Sequence, residues 1–328
     1  MCTPVVMMAG RRRSSGGKLP VCRMTSASAP NGTKGTTYYE DDFFMFLSCG
    51  ARDGLPKSRV RVDFSSEKYG RKVEPSSEPN IARFWEDHKR NNPRLFNGSK
   101  FRMQSVDMLE RDEDGNNLVT FRIGLTDYRD FMGTNMSRDA AYLMQKGRQS
   151  CGDPHAYLSQ PVGVGSMIIT SDDQVVLMRR SSWVSEGPGQ LDRPGGHAEP
   201  KEVAKRCGTD EFTNDAVLDE LFESVINEIR DEINIPESFL SEPRLLGVNG
   251  NHKSGGRPSV EFIVRCSLTA AEVQARYQAG GQPEADESTG LVMFTLQDML
   301  RMDFLQPAVW RDLTPVARAN VVMIRQGL

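Results

Sequence analysis

The chain has 328 residues, 38% of them hydrophobic, and 41 Lys and Arg stand against 44 Asp and Glu for a net charge of -3. That length allows one large or two modest domains with a core of normal size. The charge balance argues against a general nucleic-acid binder, which needs a basic surplus, and no apolar run approaches the ~18 residues that cross a bilayer.

A small-molecule partner fits such a chain, with neither nucleic acid nor membrane expected. The six cysteines, Cys2, Cys22, Cys49, Cys151, Cys207 and Cys266, form no Cys-x-x-Cys pair. This is the usage of a reduced cytoplasmic or nuclear protein. The four histidines lack zinc-ligand spacing, so oxygen ligands are expected for any bound metal.

Residues 1–39 carry basic residues and no acid, and are rich in Ser, Thr, Gly and Pro. They are expected to form a disordered basic tail; the same composition leaves mitochondrial targeting open. Order is expected from about residue 41, where Phe43, Phe44, Met45, Phe46 and Leu47 read as a strand. Residues 59–64 alternate with period two and predict a second strand. Residues 67–79 read as a loop. Ile81, Phe84, Trp85 and His88 recur at helical spacing until Pro93. Residues 121–125 predict another strand, so 40–155 reads as an N-terminal α/β region.

From Val162 the pattern changes, and 156–328 reads as a second domain. Residues 164–170 and 175–179 form a predicted hairpin about Asp172 and Asp173. Pro194, Gly195 and Gly196 signal a turn, and 201–214 is a polar stretch. Residues 215–235 predict a strong helix. Strands are expected at 244–248, 260–266 and 291–296, and two helical stretches close the chain, the last from about Thr314 and Pro315.

The helix at 215–235 carries the chemistry. Val217, Leu218, Leu221, Phe222, Val225, Ile226, Ile229 and Ile233 gather on one face. With Glu228 at zero on the helical wheel, Glu232 falls at about 40° and the apolar arc runs from about -20° to about 160°. The two carboxylates thus lie one turn apart at the edge of the buried face. Burying such a pair is costly without a positive partner, and no Lys or Arg flanks them on that edge. Mg2+, which takes one or two carboxylates plus phosphate oxygens, answers the need.

Residues 227–235, Asn-Glu-Ile-Arg-Asp-Glu-Ile-Asn-Ile, resemble the second half of the Nudix box, G-x5-E-x7-R-E-U-x-E-E-x-G-U, and Gly195-Gly196-His197-Ala198-Glu199 resembles its opening. The box is stretched: over twenty residues separate Gly196 from the Asp219-Glu220 position. Asn227 replaces the arginine that normally ties the loop to the helix, Asp231 replaces a glutamate, and Asn234 replaces a glycine at a left-handed cap that Asn tolerates. The strings 125–135, 194–200 and 287–290 resemble one branch of the family, the UDP-glucose diphosphatases, from about Asn80 to the C-terminus.

That resemblance implies a Nudix α/β/α sandwich with a mixed sheet plus an N-terminal α/β extension. It implies Mg2+-dependent hydrolysis of UDP-glucose or UDP-galactose to UMP and sugar 1-phosphate, with Glu228 and Glu232 catalytic and holding the metal. On matching positions it implies uridine contacts from Phe96 and Tyr128, and substrate contacts from Arg180, Ser185, Asp192, His197, Glu199 and Val316. Read alone, Phe96 also suits core packing after the helix. Arg180 and Arg179 should face opposite sides of their strand. The general base stays open among Glu284, Asp286 and Glu287. Two alternatives stand beside this reading: a non-catalytic UDP-sugar sensor, and a Nudix hydrolase for ADP-ribose or coenzyme A.

Overall fold

The structure, a computed structural model, describes residues 42–184 and 186–327; the tail read at 1–39 and the candidate Ser185 lie outside the described residues. In chain order the elements are β1 (Phe43–Ser48), β2 (Val60–Phe64), α1 (Glu78–Asn91), β3 (Ser99–Arg111), β4 (Asn117–Asp127), α2 (Tyr128–Gly133) and α3 (Ala140–Cys151). Then follow β5 (Gly163–Ile169), β6 (Gln174–Arg180), β7 (Leu191–Asp192), β8 (Gly195–His197), α4 (Pro200–Cys207), α5 (Asn214–Ile233), β9 (Arg244–Asn251) and β10 (Arg257–Arg265). The chain continues through α6 (Ala270–Ala279), β11 (Ser288–Thr295), α7 (Leu296–Met299), α8 (Met302–Leu305), α9 (Pro307–Asp312) and α10 (Pro315–Gln326).

The larger sheet runs β1-β9-β10-β5-β6-β11, with β8 paired to β5 and β7 to β6. It is mixed, because β10 and β5 run parallel while β9 and β6 are antiparallel to their neighbours. Strand alternation divides its side chains between two cores. Val164, Ile168, Val176, Met178, Val260 and Phe262 cluster with Val217, Leu221, Val225 and Ile229 of α5. Met167, Ile169, Val175, Leu177 and Ile263 cluster with Ala317, Val321 and Ile324 of α10. Helices on both faces explain why β5 is buried at every position and carries Ser166 as its one polar side chain. The result is the expected α/β/α sandwich.

The second sheet, β2-β4-β3, has β2 parallel to β4 and β3 antiparallel to it. Its apolar face does not make a core of its own: Val60, Val62, Phe101, Phe121 and Ile123 enter the same cluster as α5. The strand β1, read from sequence as part of the N-terminal region, pairs with β9 in the large sheet. One core therefore crosses the boundary drawn at 155/156.

Several elements differ from the sequence reading, the helices α2, α3 and α6 among them. β3 was not foreseen because two register shifts interrupt its alternation and because it carries Arg102, which is buried and donates to the carbonyls of Tyr69, His155 and Leu158. The polar stretch after the double glycine contains α4, a short helix that buries only Pro200 and Val203. Gly195 and Gly196 form strand β8 against β5 rather than a turn. Among the described residues no helix is long and apolar enough to cross a membrane, and the described cysteines Cys49, Cys151, Cys207 and Cys266 are free.

Candidate active site

The helix α5 is fixed at both ends by local chemistry. The Thr213 hydroxyl accepts from the Ala216 N–H at its N-cap, and Asn234 closes it in the left-handed conformation at φ 61°. Its last turns carry Glu228 and Glu232 against β8. Gly195 N–H donates to Glu232 Oε2 at 2.8 Å, and His197 N–H donates to Glu228 Oε1 at 3.2 Å. Gly195 is required by the backbone beside it, and Gly196 leaves the room that the Glu228 carboxylate occupies. A Cβ on Gly196 would lie 2.0 Å from Glu228 Oε1, and one on Gly195 would lie 2.4 Å from the Val164 carbonyl oxygen.

A third carboxylate completes the group. Glu284, in the loop between α6 and β11, donates its N–H to the Asp231 carbonyl at 2.9 Å. Ligand oxygens of Glu228, Glu232 and Glu284 lie within 4.8 Å of one another. Burial, with Glu284 and Glu287 nearby, pushes the Glu228 carboxyl up to about 8. Burial and then Glu228 hold Glu232 well above the usual range, and burial and then Glu287 raise Glu284. Glu232 Oε1 is buried and has no hydrogen-bond partner among the described residues. An all-oxygen donor set with an unsatisfied buried atom and mutual repulsion fits a hard divalent cation.

Glu228 and Glu284 line a cavity of about 960 Å3, whereas the buried Glu232 is not among its lining residues; the volume is within the size range of small-molecule sites. No family model matches the chain. It is 42% identical over 284 residues to the uridine diphosphate glucose pyrophosphatase of Bos taurus, covering 85% of this chain and 95% of that protein. It is 35% identical over 276 residues to Nudix hydrolase 9 of Arabidopsis thaliana, covering 80% of this chain and 86% of that one. The chain belongs to the UDP-glucose pyrophosphatase branch of the Nudix hydrolases. Among solved structures, the MutT protein of Methanosarcina mazei Go1 aligns with a TM-score of 0.32 at 18% identity, over 50% of this chain and 92% of that one.

In this Nudix chain the residues expected from the sequence divide clearly. Tyr128, Arg180, Asp192, His197, Glu199, Glu228 and Val316 line the cavity. Arg180 donates from Nε to the Glu186 carbonyl and lies 3.7 Å from Asp192. Arg179 turns the other way, to Asp312 and the Gly189 carbonyl, as alternation requires. Asp192 is held by the Thr314 hydroxyl at 2.6 Å, which places the N-terminus of α10, with Val316, at the cavity wall. Glu199 is bound by Lys100 and Lys201; burial opposes its charge, but the two ammonium groups outweigh it and hold the carboxyl below its ordinary value.

His197 is half-buried, and desolvation followed by Arg257 holds its imidazole well below the ordinary range. Arg257 Nη1 lies 3.1 Å from His197 Nε2. A guanidinium only donates, so Nε2 accepts and the neutral ring carries its proton on Nδ1. Tyr128 packs edge-on to Trp85, with ring centroids 6.2 Å apart. Phe96 is 74% exposed. It is neither core nor cavity wall, but its segment abuts Tyr128: Gly98 carbonyl accepts from the Tyr128 N–H and Asn97 from the Arg129 N–H. Of the loop acids, Glu284 and Glu287 line the cavity and Asp286 does not. Lys100, Phe131 and Arg257 also line it and were missed by sequence reasoning, because none belongs to a spaced motif.

Proposed function

We propose that this protein hydrolyses the diphosphate of UDP-glucose or UDP-galactose to UMP and sugar 1-phosphate, using Mg2+ held by Glu228, Glu232 and Glu284. The observation that carries the reading is the three-carboxylate cluster, of which Glu228 and Glu284 line a cavity that also presents Arg180 and Tyr128. The names of the curated relatives support the substrate. When bound, the cation polarises a phosphoryl oxygen and makes an attacking water more acidic.

The chain's own residues supply the rest. Arg180 offers forked donors to the diphosphate, and its Nε bond to the Glu186 carbonyl fixes its direction. The neutral His197 donates from Nδ1 to an oxygen acceptor. The N-terminal N–H groups of α10 beside Val316 favour the same anion. Tyr128 at the cavity wall, with the exposed Phe96 on the adjacent segment, stacks on the uracil. Glu287, lining the cavity outside the cluster, takes a proton from the attacking water. Water oxygen then bonds to phosphorus as the bond to the bridging oxygen breaks. Cleavage at the sugar carbon would need two carboxylates flanking that carbon, whereas the carboxylates here are gathered as for a cation.

Phosphorus NMR of UDP-glucose turnover with Mg2+ tests the reading. Two phosphomonoester signals should grow as the diphosphate pair vanishes. A persisting diphosphate signal with free glucose would overturn it.

A further inference from the structure

The stretched box inserts α4 between the loop of β8 and the helix α5, and one side chain of the insertion reaches back. Arg206, in the last turn of α4, donates to Glu220 Oε2 at 3.3 Å, to the Ala216 carbonyl at 3.3 Å and to Glu223. Glu220 is 2% exposed, and its other oxygen accepts from the backbone N–H of Glu199 at 3.1 Å. Glu199 lies two residues beyond the Gly195–His197 strand and lines the cavity. A buried carboxylate that lost its cation would keep the cost of burial without compensation, and its bond to the loop amide would weaken with it. Asn227, where the family box carries arginine, lacks the reach and the charge to replace this contact.

We propose that Arg206 is a positioning residue for the site: through Glu220 it holds the 195–199 loop against α5, the task left open by Asn227. Its influence on catalysis rests on the function proposed above; its influence on the loop does not. The chain of contacts runs from α4 to the Glu220 carboxylate, from there to the Glu199 amide, and along the backbone to the two amides that Glu228 and Glu232 receive.

Amide hydrogen exchange read by mass spectrometry on the full chain tests the proposal without relying on turnover. In R206Q the peptide containing residues 195–199 should exchange about tenfold faster, equivalent to about 1.4 kcal/mol, while peptides of β5 and β10 keep the wild-type rate. R206K should recover most of the protection, because a cation is restored beside Glu220. The double variant R206Q/E220Q should be no worse than E220Q alone, since Arg206 acts through Glu220. Unchanged exchange at 195–199, a uniform acceleration that includes β5 and β10, or additive effects in the double variant would each overturn the proposal. With UDP-glucose as substrate, R206Q should also lower kcat/KM about tenfold. A wild-type protein inactive on UDP-glucose would remove the functional reading and leave the exchange result to judge the loop.

Discussion

Glu232 buries an oxygen that no group among the described residues satisfies, one turn from a second carboxylate raised by burial. Neutralising either should remove the cation and spare the fold. E228Q and E232Q are expected to lose more activity than the ~10–100-fold typical of outer-shell changes around a metal, while melting in chelator no lower than wild type. Near-normal turnover in either purified variant would discard the assignment. At the uridine end, stacking contributes about 1–3 kcal/mol equally to ground and transition states, so F96A and Y128A should raise KM with kcat preserved. Because Phe96 is 74% exposed, F96A should unfold at the wild-type temperature. A fall in kcat alone would assign these rings another role.

At the scale of elements, the site is the contact of one helix with one three-residue strand. α5 brings its acids within reach only because β8 presents backbone where other strands present side chains. G196A is therefore expected to keep the secondary structure and lose most activity, since the new methyl occupies the place of Glu228 Oε1. Circular dichroism with a kinetic assay checks this, and wild-type kcat in G196A would show that the carboxylate can move freely. The strand and helix were unequally legible. The apolar period of α5 and its caps are local signals, whereas the pairing of β8 with β5 joins residues some thirty positions apart and leaves no period in the sequence.

For the whole molecule, the acid cluster links stability to pH and metal. The Glu228 carboxyl is raised in the folded protein to about 8, so the stability it contributes is present below its unfolded value of about 4.5 and is lost as pH rises through about 8. In chelator, the melting temperature of wild type relative to E228Q should therefore fall across that window, and Mg2+ should reverse the fall. A pH-independent difference would contradict the coupling. Residues 1–37 carry no aromatic residue and no apolar period, so deleting them should leave kcat/KM unchanged; a large drop would mean that the deleted segment reaches the site. Imaging of that segment fused to a reporter decides its targeting independently.

The sequence by itself determined what depends on neighbours a few positions apart. It located the helix of Glu228 and Glu232, the Asn234 cap, the opposite faces of Arg179 and Arg180, and the apolar strands of the large sheet. Tertiary structure decided what depends on segments meeting across the fold. It brought Glu284 into the carboxylate cluster and left Asp286 off the cavity wall, and it exposed Phe96 beside Tyr128 rather than in a core. It also set Arg257 on His197 and Arg206 on Glu220. Periodicity encodes which face of an element is buried, but not which distant side chain will arrive there; that is fixed only when the sheets and α5 close on a common core.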